Sequence, residues 1–210
     1  MNAKENREQI IRDAKSGLIL DAARKIFSEK GFHETKLEEI AVMAGFSKAT
    51  LYNYYTDKES IFINLAESEF EKLFKDIVNN SNPQAKFINI LEKNIKTMLY
   101  FFGEHFAFML TTSDFRKSDT QLSAECHEKR HEFFKRVFLK LIDSLADMVS
   151  LARKHGEFSC EIEDKVIAGY IATLVRDVVF KWKIRGKDVN IDSEIRNIMT
   201  FISHGLNIKS

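Results

Sequence analysis

Apolar residues recur every three or four positions along most of the chain, and no stretch alternates apolar and polar residues long enough to predict a sheet. This spacing predicts an all-α protein. A first long helix is expected over residues 7–30, ending at Gly31, with Phe32 filling the core of a three-helix N-terminal domain. The apolar stripe expected to pack inside that domain consists of Ile11, Ala14, Leu18, Ala22 and Ile26.

Two capping boxes follow this helix. Thr35 with Glu38, and Thr56 with Glu59, each place a hydroxyl three residues before a carboxylate, so that both groups can satisfy first-turn amides. The sequence therefore predicts helix starts at Thr35 and at Thr56.

A tight turn is predicted between the two boxes. Gly45 can adopt the left-handed conformation that ends one helix, and Ser47 can cap the next. The second helix must end near Tyr55, with Leu51 and Tyr55 facing inward. Two short helices joined by a glycine-containing turn are the pattern of a helix-turn-helix DNA reader.

The second short helix carries side chains that suit contact with DNA. Lysines neutralise phosphates, hydroxyls donate to phosphate oxygens, and an asparagine can make a paired contact with adenine in the major groove. The open amides at the helix starts of Ser47 and Thr56 add anion-binding capacity. The candidate contacts are Lys48, Thr50, Tyr52, Asn53, Tyr54 and Lys58.

The chain resembles the TetR (tetracycline-repressor-type) family of transcriptional regulators in the run Ile40-Ala41, Ala44-Gly45, Ser47-Lys48, Thr50-Leu51-Tyr52, Tyr54-Tyr55 and Lys58-Glu59. The resemblance covers about residues 7–62, and beyond them it extends only to length and helical layout. It implies operator contacts at Lys48, Ala49, Thr50, Tyr52, Asn53, Tyr54 and Lys58. It also places Thr35 and Lys36 where the preceding helix meets the DNA backbone.

A further helix is expected to begin at Lys58 and to end at the polar segment before Pro83. We therefore predict a DNA-binding domain over residues 1–57 and a larger helical domain for ligand binding and dimerisation over residues 58–210. Because this helix begins among the candidate phosphate contacts and ends in the second domain, it is expected to act as a lever between them.

The second domain is rich in aromatic and methionine side chains at helical spacing. Core packing explains any one of them, whereas as a group they could border an apolar cavity that a ligand fills. An apolar, aromatic or acyl-chain effector would suit such a cavity, with Tyr170 or Asp177 as polar handles. The predicted lining is Ile95, Met98, Phe102, Phe106, Met109, Phe134, Val137, Phe138, Tyr170 and Leu174.

Two amphipathic helices are predicted at the end of the chain, the last one capped by Asp192. The apolar stripe from Val166 to Trp182 is wider than one neighbouring helix could cover. We therefore expect a homodimer in which each subunit contributes two helices to a four-helix bundle. The resemblance implies the same, since TetR-type regulators dimerise through their last two helices.

Composition and charge limit the classes of function. The 210 residues are 44% hydrophobic and 30% charged, as in soluble globular proteins, and the net charge of +1 argues against a surface that binds polyanions everywhere. A local basic arm of Lys4, Arg7 and Arg12 is either a solvated terminus or a contact to the DNA backbone. With two cysteines, no secretory signal and no expected membrane span, the prediction is a cytoplasmic protein without a cofactor.

One motif indicates a different class of function. The segment from His127 through Glu128 to His131 matches H-E-x-x-H, which in zinc hydrolases supplies two metal ligands and a general base. Catalytic zinc needs a third protein ligand, and the charged neighbours, among them Arg130, indicate a solvated face, so no enzyme and no metal site are predicted. A third alternative is a helical ligand-binding module that does not read DNA. The favoured hypothesis is a homodimeric repressor that a small apolar effector releases from a near-palindromic operator.

Overall fold

The computed structural model describes residues 2–82, 84–104, 124–185 and 189–208. These residues form eight helices and one isolated antiparallel bridge between Phe158 and Ile208. The helices are α1 (Ala3–Glu34), α2 (Leu37–Met43), α3 (Lys48–Tyr52), α4 (Lys58–Asn80), α5 (Phe87–Glu104), α6 (Ala124–Lys154), α7 (Asp164–Arg185) and α8 (Ile191–Gly205). The predicted all-α fold is confirmed. Among the described helices, none is long and apolar enough to cross a membrane.

The described residues divide into two compact units. The first unit contains the chain up to Glu69 together with the described residues of α6 up to Arg130. The second unit contains α4 from Phe70, all of α5, α6 from His131, and the helices α7 and α8. Helices α4 and α6 therefore each contribute residues to both units.

The core of the first unit is built from aromatic side chains. Phe27, Phe32 and Phe62 are buried, and their ring centroids lie 5.2–5.9 Å apart. Gly31, with a φ of +80°, interrupts the helical geometry of α1 just before Phe32. Both predictions for this turn, the break at Gly31 and the buried Phe32, are confirmed.

The N-terminal half of α1 differs from the prediction. The helix begins at Ala3, four residues earlier than expected, because the Asn2 side chain accepts hydrogen bonds from the amides of its first turn. Among the described residues of α1, the first buried one is Ile19, whereas Ile11, Ala14 and Leu18 are exposed. The predicted inward stripe is therefore wrong in its first half.

Both predicted capping boxes are displaced by one residue. Glu39 accepts the hydrogen bond from the Lys36 amide at 3.1 Å, and Asp57 accepts that from the Ser60 amide at 2.6 Å. Thr35 is buried and donates instead to the carbonyl four residues before it, at 2.7 Å. The helices begin close to the predicted positions, but neighbouring side chains provide the caps.

In the second unit, α5, α7 and α8 pack on one another. A Cβ atom on Gly103 would lie 3.3 Å from the ring of Trp182, so glycine permits the close approach of α5 and α7. The cap of α8 is Asn190, whose Oδ1 accepts from the Ser193 amide at 2.9 Å. The prediction that Asp192 provides this cap is wrong, since Asp192 lies in the first turn of the helix.

Candidate nucleic-acid interface

The turn between α2 and α3 has the predicted geometry. Gly45 has a φ of +77°, and the Phe46 amide donates back to the Ala41 carbonyl at 2.9 Å. The Ser47 hydroxyl accepts from the Thr50 amide at 3.1 Å, which satisfies one open donor at the start of α3. The glycine stop and the serine cap are both confirmed.

Two side chains fix α3 to the rest of the first unit. Leu51 and Tyr55 are buried, as predicted, and the Tyr55 hydroxyl forms a 2.6 Å hydrogen bond with the Ser16 hydroxyl on α1. Burial raises the pKa of the Tyr55 phenol, so this group stays protonated and neutral. The opposite side of α3 faces solvent: Ser47, Lys48, Ala49, Tyr52 and Asn53 are exposed, and Thr50 and Tyr54 are half-buried.

The Lys48 ammonium is oriented by its neighbours on the protein surface. It forms an ion pair with Glu38 on α2 and lies 5.8 Å from the centroid of the Tyr52 ring. The hydrogen bond from Lys48 lowers the pKa of Glu38, and the same bond raises the pKa of Lys48. Lys48 therefore remains charged on the exposed side of α3 at physiological pH.

Three predicted contacts outside α3 have different surroundings. The Lys58 ammonium donates to the carbonyls of His33 and Thr35 at 3.0 and 2.9 Å and lies 4.5 Å from the centroid of the Phe32 ring. It thus satisfies carbonyls near the end of α1 that lack helical partners. Of the two residues predicted to meet the DNA backbone, Thr35 is buried with its hydroxyl bonded to the Gly31 carbonyl, whereas Lys36 is exposed.

A groove of about 850 Å³ runs between the first turns of α1 and the flank of α3. One wall carries Thr50, Asn53 and Tyr54, three of the predicted DNA contacts. The Arg12 guanidinium on the α1 side lies 5.8 Å from the centroid of the Tyr54 ring. The α1 wall consists of Glu5, Glu8, Gln9, Ile11, Arg12 and Lys15.

Arg130 on α6 lies in a position that its charged neighbours did not indicate. The residue is 6% exposed, its Nε donates to Glu59, and its guanidinium lies 4.6 and 4.8 Å from the ring centroids of Phe32 and Phe62. The prediction of a solvated face is therefore wrong for Arg130. The available signal was its helical register, since Arg130 lies three residues before Phe133 on the apolar stripe of α6.

The H-E-x-x-H segment lies at the start of α6. Glu128 and His131 are exposed, and the His127 side chain lies outside the described residues. Within the part of the chain that the structure describes, no three potential metal ligands come together.

The predicted ligand-lining residues fall into several environments in the second unit. Phe106 and Met109 lie outside the described residues. Phe138 and Tyr170 are 47% and 59% exposed, so the prediction that they line an enclosed cavity is wrong in this structure. The other predicted residues are buried or half-buried: Ile95, Met98, Phe102, Phe134, Val137 and Leu174.

Six phenylalanines of the second unit form what we call the aromatic cluster. Phe70 is its centre, with ring centroids of four other members 5.3–6.5 Å away. Phe134 joins the cluster through Phe133, at 4.9 Å. The members are Phe70, Phe74, Phe101, Phe102, Phe133 and Phe134. Two predicted lining residues, Phe102 and Phe134, thus belong to one apolar surface.

An exposed stripe that carries large apolar side chains runs along α7. Its apolar members Val166, Tyr170, Phe180 and Ile184 are 39–68% exposed, and successive positions of the stripe are separated by alternating steps of four and three residues. The spacing is that of a helix seam which packs against another helix. We call these positions the α7 stripe: Val166, Tyr170, Thr173, Asp177, Phe180 and Ile184.

Comparison with known proteins supports the predicted resemblance. Residues 19–65 match the sequence model of "Bacterial regulatory proteins, tetR family". The fatty acid metabolism regulator protein of Bacillus subtilis is 22% identical over 195 residues, which are 91% of this chain and 95% of the relative. The transcriptional regulator RutR of Escherichia coli K12 is 50% identical over 50 residues, 24% of either chain.

A solved structure reproduces the fold over nearly the whole chain. The Bacillus subtilis regulator FadR in complex with stearoyl-CoA superposes with a TM-score of 0.72 at 19% identity. The superposition covers 90% of this chain and 97% of that one. The likeness therefore extends through both units, while the sequence match to the family is concentrated in the first.

Proposed function

We propose that this chain, whose residues 19–65 match the family model of TetR-type bacterial regulatory proteins, is a homodimeric, ligand-responsive transcriptional repressor. Residues 1–57 would bind the operator, and residues 58–210 would bind the effector and form the dimer. The main support for the proposal is that one side of α3 faces solvent while Leu51 and Tyr55 on its other side are buried and anchor the helix.

That exposed side offers the donors that a major-groove reader needs. Lys48 carries a charge for phosphate, and Asn53 carries an amide that can pair with adenine. Two copies related by a two-fold axis would place α3 in major grooves roughly 34 Å apart, so the operator is a near-palindrome. Effector binding would favour a state whose two α3 helices no longer match this spacing, which requires a coupling of only about 1–3 kcal/mol.

Removing single phosphate contacts from α3 tests the DNA-binding proposal. Lys48→Ala and Tyr54→Phe are each expected to weaken operator binding about tenfold. Lys48→Ala should also reduce the salt slope by about 0.9 for each phosphate that is no longer neutralised, or about 1.8 per dimer, whereas Tyr54→Phe removes no charge and should leave the slope nearly unchanged. Tyr54→Phe retains the ring beside Arg12 and removes only the hydroxyl. Fluorescence anisotropy with an operator duplex, measured from low to moderate salt, gives both quantities.

The matched control for these variants is Lys25→Ala, which removes an exposed cation of α1 far along the chain from α3. Its affinity and salt slope should equal those of the wild type. If Lys48→Ala behaves like this control, α3 does not face the phosphates.

The aromatic cluster supports an apolar effector, and we propose a molecule with an acyl chain. One structural neighbour was solved with stearoyl-CoA, and Phe102 and Phe134 are half-buried members of the cluster. Stearoyl-CoA is expected to release the operator duplex and to change the fluorescence of Trp182, the single tryptophan, which lies in the second unit. Coenzyme A without an acyl chain should do neither.

Substitution tests whether the aromatic cluster is the site of that effect. Phe102→Ala is expected to raise the stearoyl-CoA concentration for half-release about tenfold, because it removes a large apolar contact. Val78→Ala, which shortens an exposed side chain of α4, should leave it unchanged. Equal dose responses of the two variants would exclude Phe102 from the effector site.

A further inference from the structure

We propose that the groove between α1 and α3 holds a sugar–phosphate strand of the operator, and that Arg12, assisted by Lys15, binds its phosphates. These two residues lie outside the helix-turn-helix, so the DNA-binding surface of each subunit would extend onto the N-terminal half of α1. The inference rests on the proposed function and adds a second contact region to it.

The groove is continuous with the proposed reading surface. Asn53 and Thr50 line it from the α3 side, and the same two residues belong to the predicted base and phosphate contacts. Arg12 and Lys15 face them from α1, one helical turn apart. A strand that passes along the flank of α3 would therefore meet donors on both walls of the groove.

Arg12 differs from several other cations of the first unit in its ion pairing. Lys48, Lys30 and Arg24 are each paired with a carboxylate, on Glu38, Glu39 and Glu69 respectively. Within the described residues, Arg12 and Lys15 form no such ion pair.

Arg12 is positioned in a different way. Its guanidinium rests beside the Tyr54 ring, 5.8 Å from the centroid, which orders the side chain without neutralising it. An ordered guanidinium with uncommitted donors suits a phosphate, because it can make two parallel hydrogen bonds to the anion.

The same wall also carries acidic groups. Glu8 lies one turn before Arg12, about 6 Å along the helix axis, and its carboxylate is 4.0 Å from the Lys4 ammonium at the exposed end of α1. A phosphate bound at Arg12 would be repelled by Glu8. Removing the charge of Arg12 should therefore weaken operator binding, and removing the charge of Glu8 should strengthen it. A purely structural role of this helix would not produce opposite effects.

The test compares the full-length variants Arg12→Ala, Arg12→Lys, Glu8→Gln and Lys25→Ala on an operator duplex selected by the wild type. Arg12→Ala is expected to weaken binding about 5- to 20-fold and to reduce the salt slope by about 1.8 per dimer, because one phosphate per subunit is no longer neutralised. Arg12→Lys should retain most of the slope, because the charge remains. Glu8→Gln should tighten binding about 2- to 5-fold at low salt, and Lys25→Ala should have no effect.

Base readout provides an independent measurement. The loss of affinity caused by Arg12→Ala should be the same for duplexes that carry single base changes, since phosphate contacts carry no sequence information. Asn53→Ala should instead reduce the preference for one base at a single position of each operator half-site. Circular dichroism of each variant should match the wild type, since Arg12, Glu8 and Lys25 are exposed.

Two results would overturn the inference. If the wild type binds the duplex tightly and Arg12→Ala equals Lys25→Ala in affinity and salt slope, no phosphate lies at Arg12, and the proposed function is unaffected. If the wild type binds no duplex at all, the proposed function fails and the inference fails with it.

Discussion

Replacing Arg130 by methionine is expected to lower the free energy of unfolding of the first unit by about 3–5 kcal/mol, the usual cost of removing one partner from a buried ion pair. The guanidinium pairs with Glu59 and lies against the rings of both Phe32 and Phe62. Methionine fills much of the same space but leaves the Glu59 carboxylate buried without this partner. A buried carboxylate is expensive because few solvent dipoles remain to stabilise its charge.

The double variant Glu59→Met/Arg130→Met is the informative control. Replacing a whole buried ion pair by apolar side chains of similar size is often neutral, so this variant should recover most of the missing stability. Urea unfolding followed by circular dichroism compares the three proteins. A single variant as stable as the wild type would show that the pair contributes little, and a double variant no better than the single would point to impaired packing.

A charge placed in the α7 stripe is expected to separate the two subunits and to weaken operator binding by about 10²–10⁴-fold. This is the loss of affinity expected when two linked DNA-binding domains bind independently. Phe180→Asp puts a carboxylate at a position that is exposed in the single chain. In the proposed four-helix interface that position would be buried against the partner subunit, and an unpaired charge there is not tolerated.

The matched control is Val78→Asp, which charges an exposed apolar residue on α4. It should remain a dimer with unchanged operator affinity. Light scattering after size-exclusion chromatography gives the mass of each variant, and anisotropy gives its affinity. A Phe180→Asp protein that stays dimeric and binds the operator normally would remove the α7 stripe from the interface.

The elements of the reading surface could be predicted because their signals are local. Gly45 and Ser47 determine a turn within three residues, and Leu51 and Tyr55 then face inward by helical periodicity. The exact caps were less predictable, because α2 begins near several acidic and hydroxyl side chains that can all reach the same amides. Local sequence therefore indicates where helices begin but not which atom caps them.

Features that depend on distant residues could not be predicted in the same way. Arg130 and Glu59 are 71 positions apart, and no local pattern indicates that they meet. Periodicity also identifies an apolar helix face without showing what covers it, which is why it assigns Tyr170 to a pocket although this residue lies on the exposed α7 stripe. The effector site depends on such long-range packing, and only part of its predicted lining forms one surface.

Selection of bound fragments from a random pool of duplex DNA tests the central proposal most directly. A dimer that reads DNA through α3 should enrich inverted repeats whose half-site centres are roughly 10 base pairs, or a multiple of that, apart. The Asn53→Ala variant should enrich the same repeat with one position relaxed in each half. Failure to enrich any sequence, or enrichment of single unrepeated sites that Asn53→Ala leaves unchanged, would contradict the account.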